Sequence, residues 1–403
     1  LERIRLAPGN LRAQAAHLRE IAPVVPVELP GEVDAWVVTT HQAVTEALAD
    51  QRIQKNKKHW KAFNAGEIPA DWPLISWIIN ENMLSKDGED HTRLRRLVSK
   101  AFTPRRVEKL KPTVVGIVDS LLDDLERAAT ESEDGVVDLK ALVAQPLPLT
   151  VISDLFGVDE RTRPELHRLV GVFFDQSVTP EEAMGTFFEM WAVLTDLVAT
   201  KRAEPGDDLT TALIAARDEE DKLTEDELIW NLVLFISAGY ETTMNLITNA
   251  VRALVAHRDQ LDLIMRGEVE WSKAIEEVLR WDGPGEYVPM RYTTEDMSLA
   301  GVDLPAGEPL LLGYGSAGRD EERYGPTAGE FDVTRQDSSH LTFSHGRHYC
   351  LGANLARMEV NEVLPRLFER FPELDVTVED TELSASPSII ASGVETLPVR
   401  LKG

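Results

Sequence analysis

The sequence predicts a mainly α protein with a smaller β portion, on three observations. Apolar residues recur at spacings of three and four through most of the chain, β-favouring runs are confined to a few stretches, and Pro and Gly clusters punctuate both. The chain has 403 residues, 43% hydrophobic and 28% charged, enough to bury a sizeable core. No repeat, low-complexity tract or Gly/Ser linker divides it, so one domain spanning 1–403 is expected.

Taken in order, the first strands are expected at 24–29 and 35–40, separated by Pro30-Gly31, with a short helix at 42–50. Pro104 suits a first helical position, and Val107, Leu110, Val114, Ile117, Leu121 and Leu125 then mark one helical face, with a kink expected at Pro112. Similar periodicity predicts helices at 148–156, 163–174, 180–201, 209–217, 271–281 and 351–371. Extended runs return at 287–312 and 374–401. Thr224 and Glu227 form a capping-box pattern, and helical periodicity then runs to about His257. At 1.5 Å per residue that helix is about 50 Å long. Its centre, Ala238-Gly239-Tyr240-Glu241-Thr242-Thr243, puts a glycine, a carboxylate and β-branched hydroxyls into an apolar helix, which weakens it where function is expected.

Charge excludes some classes of partner. Forty-two Lys and Arg against 69 Asp and Glu leave a net charge of −27, which repels polyphosphates and anionic lipid, so no nucleic-acid partner is expected. The longest apolar stretch, 228–240, is broken by Asn231 and falls short of the roughly 18 to 20 residues of a bilayer crossing, so no membrane anchor is expected. The single cysteine, Cys350, allows no intrachain disulfide, and the cytoplasm is the expected compartment.

A lone cysteine is usually a small buried hydrophobe. Cys350, however, sits in the polar run Phe343-Ser344-His345-Gly346-Arg347-His348-Tyr349-Cys350-Leu351-Gly352, just before a helix and close to Arg347 and His348, which would favour a thiolate. The run resembles the F-x-x-G-x-H-x-C-x-G haem-binding loop of the cytochrome P-450 family: Phe343, Gly346, His348, Cys350 and Gly352 match, while Ser344 stands where many members carry Gly. This resemblance implies a triangular fold with haem b (iron protoporphyrin IX) between the long central helix and the cysteine loop. Cys350 would be the axial metal ligand and Phe343 would shield its sulfur. Gly346 and Gly352 would let the backbone approach the porphyrin. His91 and Arg95, matching the family's H-x-x-x-R pattern, together with Arg291 and His348, would hold the propionates.

The mid-helix motif is similar to the family's A-G-x-[DE]-T-T oxygen-activation segment, with Tyr240 departing from the His or other polar residue often found there. By this resemblance Ala238 and Gly239 border the haem, Gly239 making room for dioxygen, while Glu241 and Thr242 relay protons. Glu277 and Arg280 match the family's E-x-x-R pair, with a structural role that includes Arg335 and no catalytic one.

The resemblance implies a monooxygenase that hydroxylates an apolar small molecule with O2 and two electrons. No flavin or iron–sulfur sequence is present, so a ferredoxin and an NAD(P)H-dependent ferredoxin reductase are expected as partners. The 64–74 stretch and Gly206-Asp207-Asp208-Leu209 are similar to actinobacterial members acting on macrolide, polyketide or steroid skeletons. Substrate contacts are expected from Met83, Leu84, Phe173, Phe174, Phe187, Leu234, Ala238, Tyr287, Val288, Pro289, Ile389 and Ile390. Arg105, Arg106, Arg347 and Arg357 are expected to form a basic docking patch for the acidic electron donor. Two alternatives use the same loop: a peroxygenase or nitric oxide reductase, which would not need Glu241 and Thr242, and a haem-binding sensor, which would not need a substrate pocket.

Overall fold

The computed structural model of the chain describes residues 3–72, 74–174, 179–218 and 223–402, without the side chains of Ser76, Lys100, Ala101, Phe173, Phe174, Pro180 and residues 216–218. Helices dominate it. They run α1 (Leu11–Ile21), α2 (His41–Ala49), α3 (Lys61–Asn64), α4 (Ile75–Ile79), α5 (Gly88–Ala101), α6 (Pro104–Glu131), α7 (Pro146–Phe156) and α8 (Arg163–Phe174). The second half holds α9 (Pro180–Ala203), α10 (Leu209–Asp218), α11 (Glu225–Ala256), α12 (Arg258–Met265), α13 (Trp271–Asp282), α14 (Tyr314–Gly318), α15 (Glu321–Tyr324) and α16 (Ala353–Arg370).

The strands are β1 (Ile4–Arg5), β2 (Val24–Leu29), β3 (Val33–Val38), β4 (Ile53–Gln54), β5 (Val136–Asp138), β6 (Tyr287–Thr293), β7 (Met297–Leu299), β8 (Val302–Leu304), β9 (Pro309–Gly313), β10 (Asp375–Val376) and β11 (Pro398–Arg400). One sheet has the order β1-β2-β3-β9-β6-β4, a second β10-β11-β5, and β7 and β8 form a hairpin. In the large sheet β3 lies parallel to β9, with Trp36 opposite Leu310, and β6 lies antiparallel to β9.

The second strand starts at Val33 rather than 35 because Gly31 and Glu32, at φ +81° and +60°, already complete the turn from β2. α6 continues past Pro112 as one helix of 28 residues. In the 374–401 region the extended structure is the short β10 and β11 with the isolated antiparallel bridges Gly285–Ala391 and Ala385–Val394. The capping box before α11 is formed: the Glu227 N–H donates to Thr224 Oγ1 (3.1 Å) and the Thr224 N–H to Glu227 Oε2 (2.9 Å). Among the described residues no helix is long and apolar enough to cross a membrane.

α11 packs against α7, α13 and α16. Its buried residues, such as Leu232, Ile247 and Leu254, share one apolar cluster with Val360 and Leu364 of α16. A second cluster lies on the sheet, around Trp60, Trp72, Tyr287, Met290, Tyr292, Ile389 and Ile390.

The E-x-x-R pair of α13 locks this scaffold. Glu277 and Arg280 are fully buried and joined by two bonds, Arg280 Nε to Oε2 (2.8 Å) and Nη2 to Oε1 (2.7 Å). Arg280 also donates to the carbonyls of Gly318, Ala328 and Glu330, while Arg335 Nε (3.3 Å) and the Asp332 N–H (3.0 Å) reach Glu277 Oε1. Buried charges survive only with such dense pairing. The approach is close enough that a Cβ on Gly318 would lie 2.1 Å from the Arg280 carbonyl oxygen, so this position takes only glycine.

Candidate active site

The middle of α11 departs from its surroundings. Ala238 and Thr242, one turn apart, are exposed although the residues around them on this helix are buried or half-buried. The Thr242 hydroxyl donates to the Ala238 carbonyl (2.6 Å), which leaves its oxygen lone pairs directed toward the open side. Glu241 is half-buried, and burial pushes its carboxyl up to about 7 against the opposing pull of Lys140. Tyr240 is buried, and burial raises its hydroxyl to about 12.

Gly239 is closely packed. A Cβ there would stand 2.9 Å from Ile152 Cδ1 of α7, so helix packing is a further reason for glycine at this position.

The cysteine loop ends at the start of α16. Gly346 has φ +72°, a backbone that glycine adopts freely. Ser344 also stands in the left-handed region, at φ +65°, and its hydroxyl accepts a bond from the Tyr314 hydroxyl (2.9 Å). This explains glycine's fitness at that position and shows what holds a serine there. The Cys350 N–H donates to the carbonyl of buried Phe343 (2.8 Å).

Cys350 is exposed, yet its surroundings are dense enough that desolvation raises its thiol. A sulfur in the wall of an interior cleft meets both conditions. Backbone N–H groups of Gly352 and Ala353, with Arg95 and Arg357, pull the other way without prevailing. These arginines replace the Arg347 and His348 expected to favour the thiolate, and a buried thiol of this kind loses its proton on metal coordination.

Next to the loop lies an excess of buried donors. His91 and His348 are buried with their rings 4.2 Å apart, and neither Nε2 has a hydrogen-bond partner. Burial followed by the charge of Arg95 lowers His91 to about 4, and burial with Arg291 also lowers His348. Arg291 is buried on β6, and Arg95 donates to the Tyr349 carbonyl (2.8 Å). Sequence reasoning missed Lys55, also buried, whose Nζ donates to the Pro289 carbonyl (2.9 Å) and which burial and Arg291 lower to about 7. Asp87 is the carboxylate facing Lys55, His91 and Arg291, and it already accepts the backbone N–H groups of Lys55 (2.8 Å) and Asn56 (2.9 Å). So many donors for one anion call for further negative charge.

Comparison with known proteins settles the family. The family model for cytochrome P-450 matches residues 19–195 and 271–397. The chain belongs to the cytochrome P-450 family. It is 40% identical over 402 residues to 2-hydroxy-5-methyl-1-naphthoate 7-hydroxylase of Streptomyces carzinostaticus, covering 99% of this chain and 97% of that protein. It is 37% identical over 393 residues to 6-deoxyerythronolide B hydroxylase of Saccharopolyspora erythraea, covering 96% and 95% of the two. The testerone-bound structure of CYP154C4 from Streptomyces sp. ATCC 11861 superposes with a TM-score of 0.95 at 44% identity, covering 100% of this chain and 99% of that one. The fold is that of a bacterial P-450, and the enzyme is an oxygen-incorporating oxidoreductase of a haem-thiolate family.

The residues present fit a haem. Two propionates would add the negative charge that fits a site where His91 and His348 Nε2 have no hydrogen-bond partner and where Asp87, 4.0 Å from His348 Nε2, is the carboxylate that also faces the buried Arg291. The expected substrate contacts of this P-450 are more scattered. Leu234 is buried on the stripe of α11 that carries Ala238 and Thr242. Met83 is buried, its N–H donating to Asn231 Oδ1 of α11 (3.2 Å), while Leu84 is exposed. Asn231, seen in the sequence only as a break in an apolar run, thus ties the segment before α5 to the long helix.

Phe187 packs with tilted rings against Trp230 (5.3 Å) and Trp191 (5.9 Å) in an aromatic group between α9 and α11. Tyr287, Ile389 and Ile390 are spent on the sheet cluster, Val288 packs on the sheet's other apolar cluster, and Pro289 is buried above Lys55. The side chains of Phe173 and Phe174 lie outside the described residues.

The basic patch is thinner than expected. Arg347 and Arg105 are exposed. Arg106 donates to the Asp208 carbonyl (2.9 Å) and lies 3.6 Å from Asp207. Arg357 is chelated by Glu276, whose carboxyl, raised by burial but lowered more by bonds from Arg357 and His340, is held at about 2.

Proposed function

We propose that this P-450 is one haem domain over 1–403 that binds haem b through Cys350, acts in the cytoplasm, and hydroxylates an apolar macrolide, polyketide or steroid skeleton. A separate ferredoxin and its NAD(P)H-dependent reductase supply the electrons. The observation that carries this reading is the buried excess of donors, His91, Arg291 and His348, beside the single cysteine. The related enzymes named for a naphthoate and for 6-deoxyerythronolide B, and the testerone-bound neighbour, support the substrate class.

When bound, the haem supplies oxygen activation that no side chain can perform. His91, Arg95, Arg291 and His348 hold its propionates, and Phe343 excludes water from the sulfur. Ala238 and Leu234 offer an apolar surface to the substrate. Thr242 Oγ1–H donates to the Ala238 carbonyl, and its lone pairs are left to accept a hydrogen bond from the open side. Glu241, near half-protonation at neutral pH, exchanges protons between that side and the direction of Lys140.

Thr242→Ala is expected to leave haem content and substrate affinity nearly unchanged while product per NAD(P)H falls about tenfold or more and peroxide rises. Unchanged coupling would remove Thr242 from the relay. A spin-state titration over steroids, macrolides and fatty acids tests the substrate class. Binding by fatty acids alone would overturn it.

Glu241 also carries a stability signature. Its folded pKa lies above the unfolded value, so it favours unfolding progressively as pH rises from about 4.5 to about 7. Glu241→Gln should therefore gain stability over wild type across that window and hold the gain above it. Parallel denaturation curves at pH 4.5 and 8 would show that burial does not shift this carboxyl.

A further inference from the structure

Glu276, the residue before the buried E-x-x-R pair, is tied to the cysteine loop rather than to that pair. Its side chain on α13 is 32% exposed, and it binds Arg357 of α16 through both oxygens, Nε to Oε1 (2.6 Å) and Nη2 to Oε2 (2.9 Å). His340 Nε2 lies 3.1 Å from Oε2. The Thr342 N–H donates to His340 Nδ1 (3.1 Å), which fixes the tautomer so that Nε2–H is the donor to Glu276.

One carboxylate therefore holds two groups that flank a single aromatic ring. The Arg357 guanidinium carbon sits 4.4 Å above the centre of Phe343, and the His340 ring is 5.6 Å from it. The Phe343 carbonyl in turn receives the Cys350 N–H at 2.8 Å. Arg357 also reaches the Tyr349 hydroxyl (3.4 Å), next to the cysteine in sequence.

We infer that Glu276 is a positioning residue for the thiolate loop: by chelating Arg357 over Phe343 it fixes the ring and carbonyl that surround Cys350 and so sets the reduction potential of the bound haem. Arg357 is on this account a loop clamp, and its charge is spent before any electron donor arrives. The inference rests on Cys350 being the iron ligand.

The test is a dye-coupled redox titration of the holoenzyme, with the carbon monoxide spectrum recorded on each sample. Glu276→Ala leaves the Arg357 charge uncompensated and free to leave the ring, which favours the reduced haem. The ferrous-to-ferric ratio at fixed potential should rise about tenfold, equal to 59 mV for one electron. Glu276→Asp, which keeps a chelating carboxylate, should return the ratio toward wild type. Glu276→Gln has one acceptor oxygen in place of two and should shift in the same direction by less, which covers the case in which the alanine variant does not fold.

In an Arg357→Leu background, removal of Glu276 should add nothing. An unmoved ratio in both Glu276→Ala and Glu276→Gln, or an equal shift with and without Arg357, overturns the inference, the latter because it marks a bare charge effect. A wild-type spectrum lacking the thiolate band would instead overturn the haem reading on which it rests.

Discussion

Reduced holoenzyme under carbon monoxide should show the strongly red-shifted Soret band of a thiolate ligand, and Cys350→His should lack both the band and hydroxylation. The expected loss is complete, because Cys350 is the only cysteine in 403 residues and no other side chain gives the iron an anionic sulfur. Geometry around the residue supports coordination over free reactivity. Its thiol is raised by burial and is a poor nucleophile without a metal, while the Gly352 and Ala353 N–H groups are already aimed at the sulfur. An unchanged spectrum in the histidine variant would sink the assignment of the ligand and with it the proposed function.

Arg280→Ala should destabilise the fold by about 3–5 kcal/mol, because it strands the Glu277 carboxylate in a site with no exposure. Against a total stability of about 5–15 kcal/mol this is severe. The chain should accumulate without haem or precipitate, with a lowered melting temperature in whatever remains folded. Arg280→Lys should rescue little, since an ammonium cannot serve Glu277 through two parallel bonds and three carbonyls at once. A wild-type melting temperature and haem content in Arg280→Ala would show that the pair is dispensable.

The parts of the fold legible in the sequence were those with a periodic apolar face or a strong terminus signal. α11 announced itself through Thr224 and Glu227, and α6 through Pro104 and its apolar stripe. By contrast α1, with Ala and Gln between its few buried residues Leu11, Ala15 and Leu18, has too sparse a stripe to stand out. The site divides in the same way. Cys350 and its flanks are contiguous and carry their own signature, whereas Lys55, Asn231 and Glu276 matter only through partners far away in the chain, Pro289, Met83 and Arg357. A lysine or glutamate of that kind reads as solvated surface until tertiary structure buries it or pairs it. Gly239 is similar: that a Cβ there would meet Ile152 of α7 emerges only once the two helices are packed.

The parallel pairing of β3 with β9 joins residues about 270 positions apart. On the ribosome, at about 5–20 residues per second, the β2–β3 hairpin emerges and then waits on the order of tens of seconds for its neighbour. Throughout that interval Trp36, Val37 and Val38 present an open hydrogen-bonding edge made of β-favouring apolar residues, the kind of edge that recruits other chains. Translation that stalls or ends before Pro309 leaves this edge permanently bare, so the burden on chaperones during synthesis is set by the topology of the six-stranded sheet rather than by the large helical core.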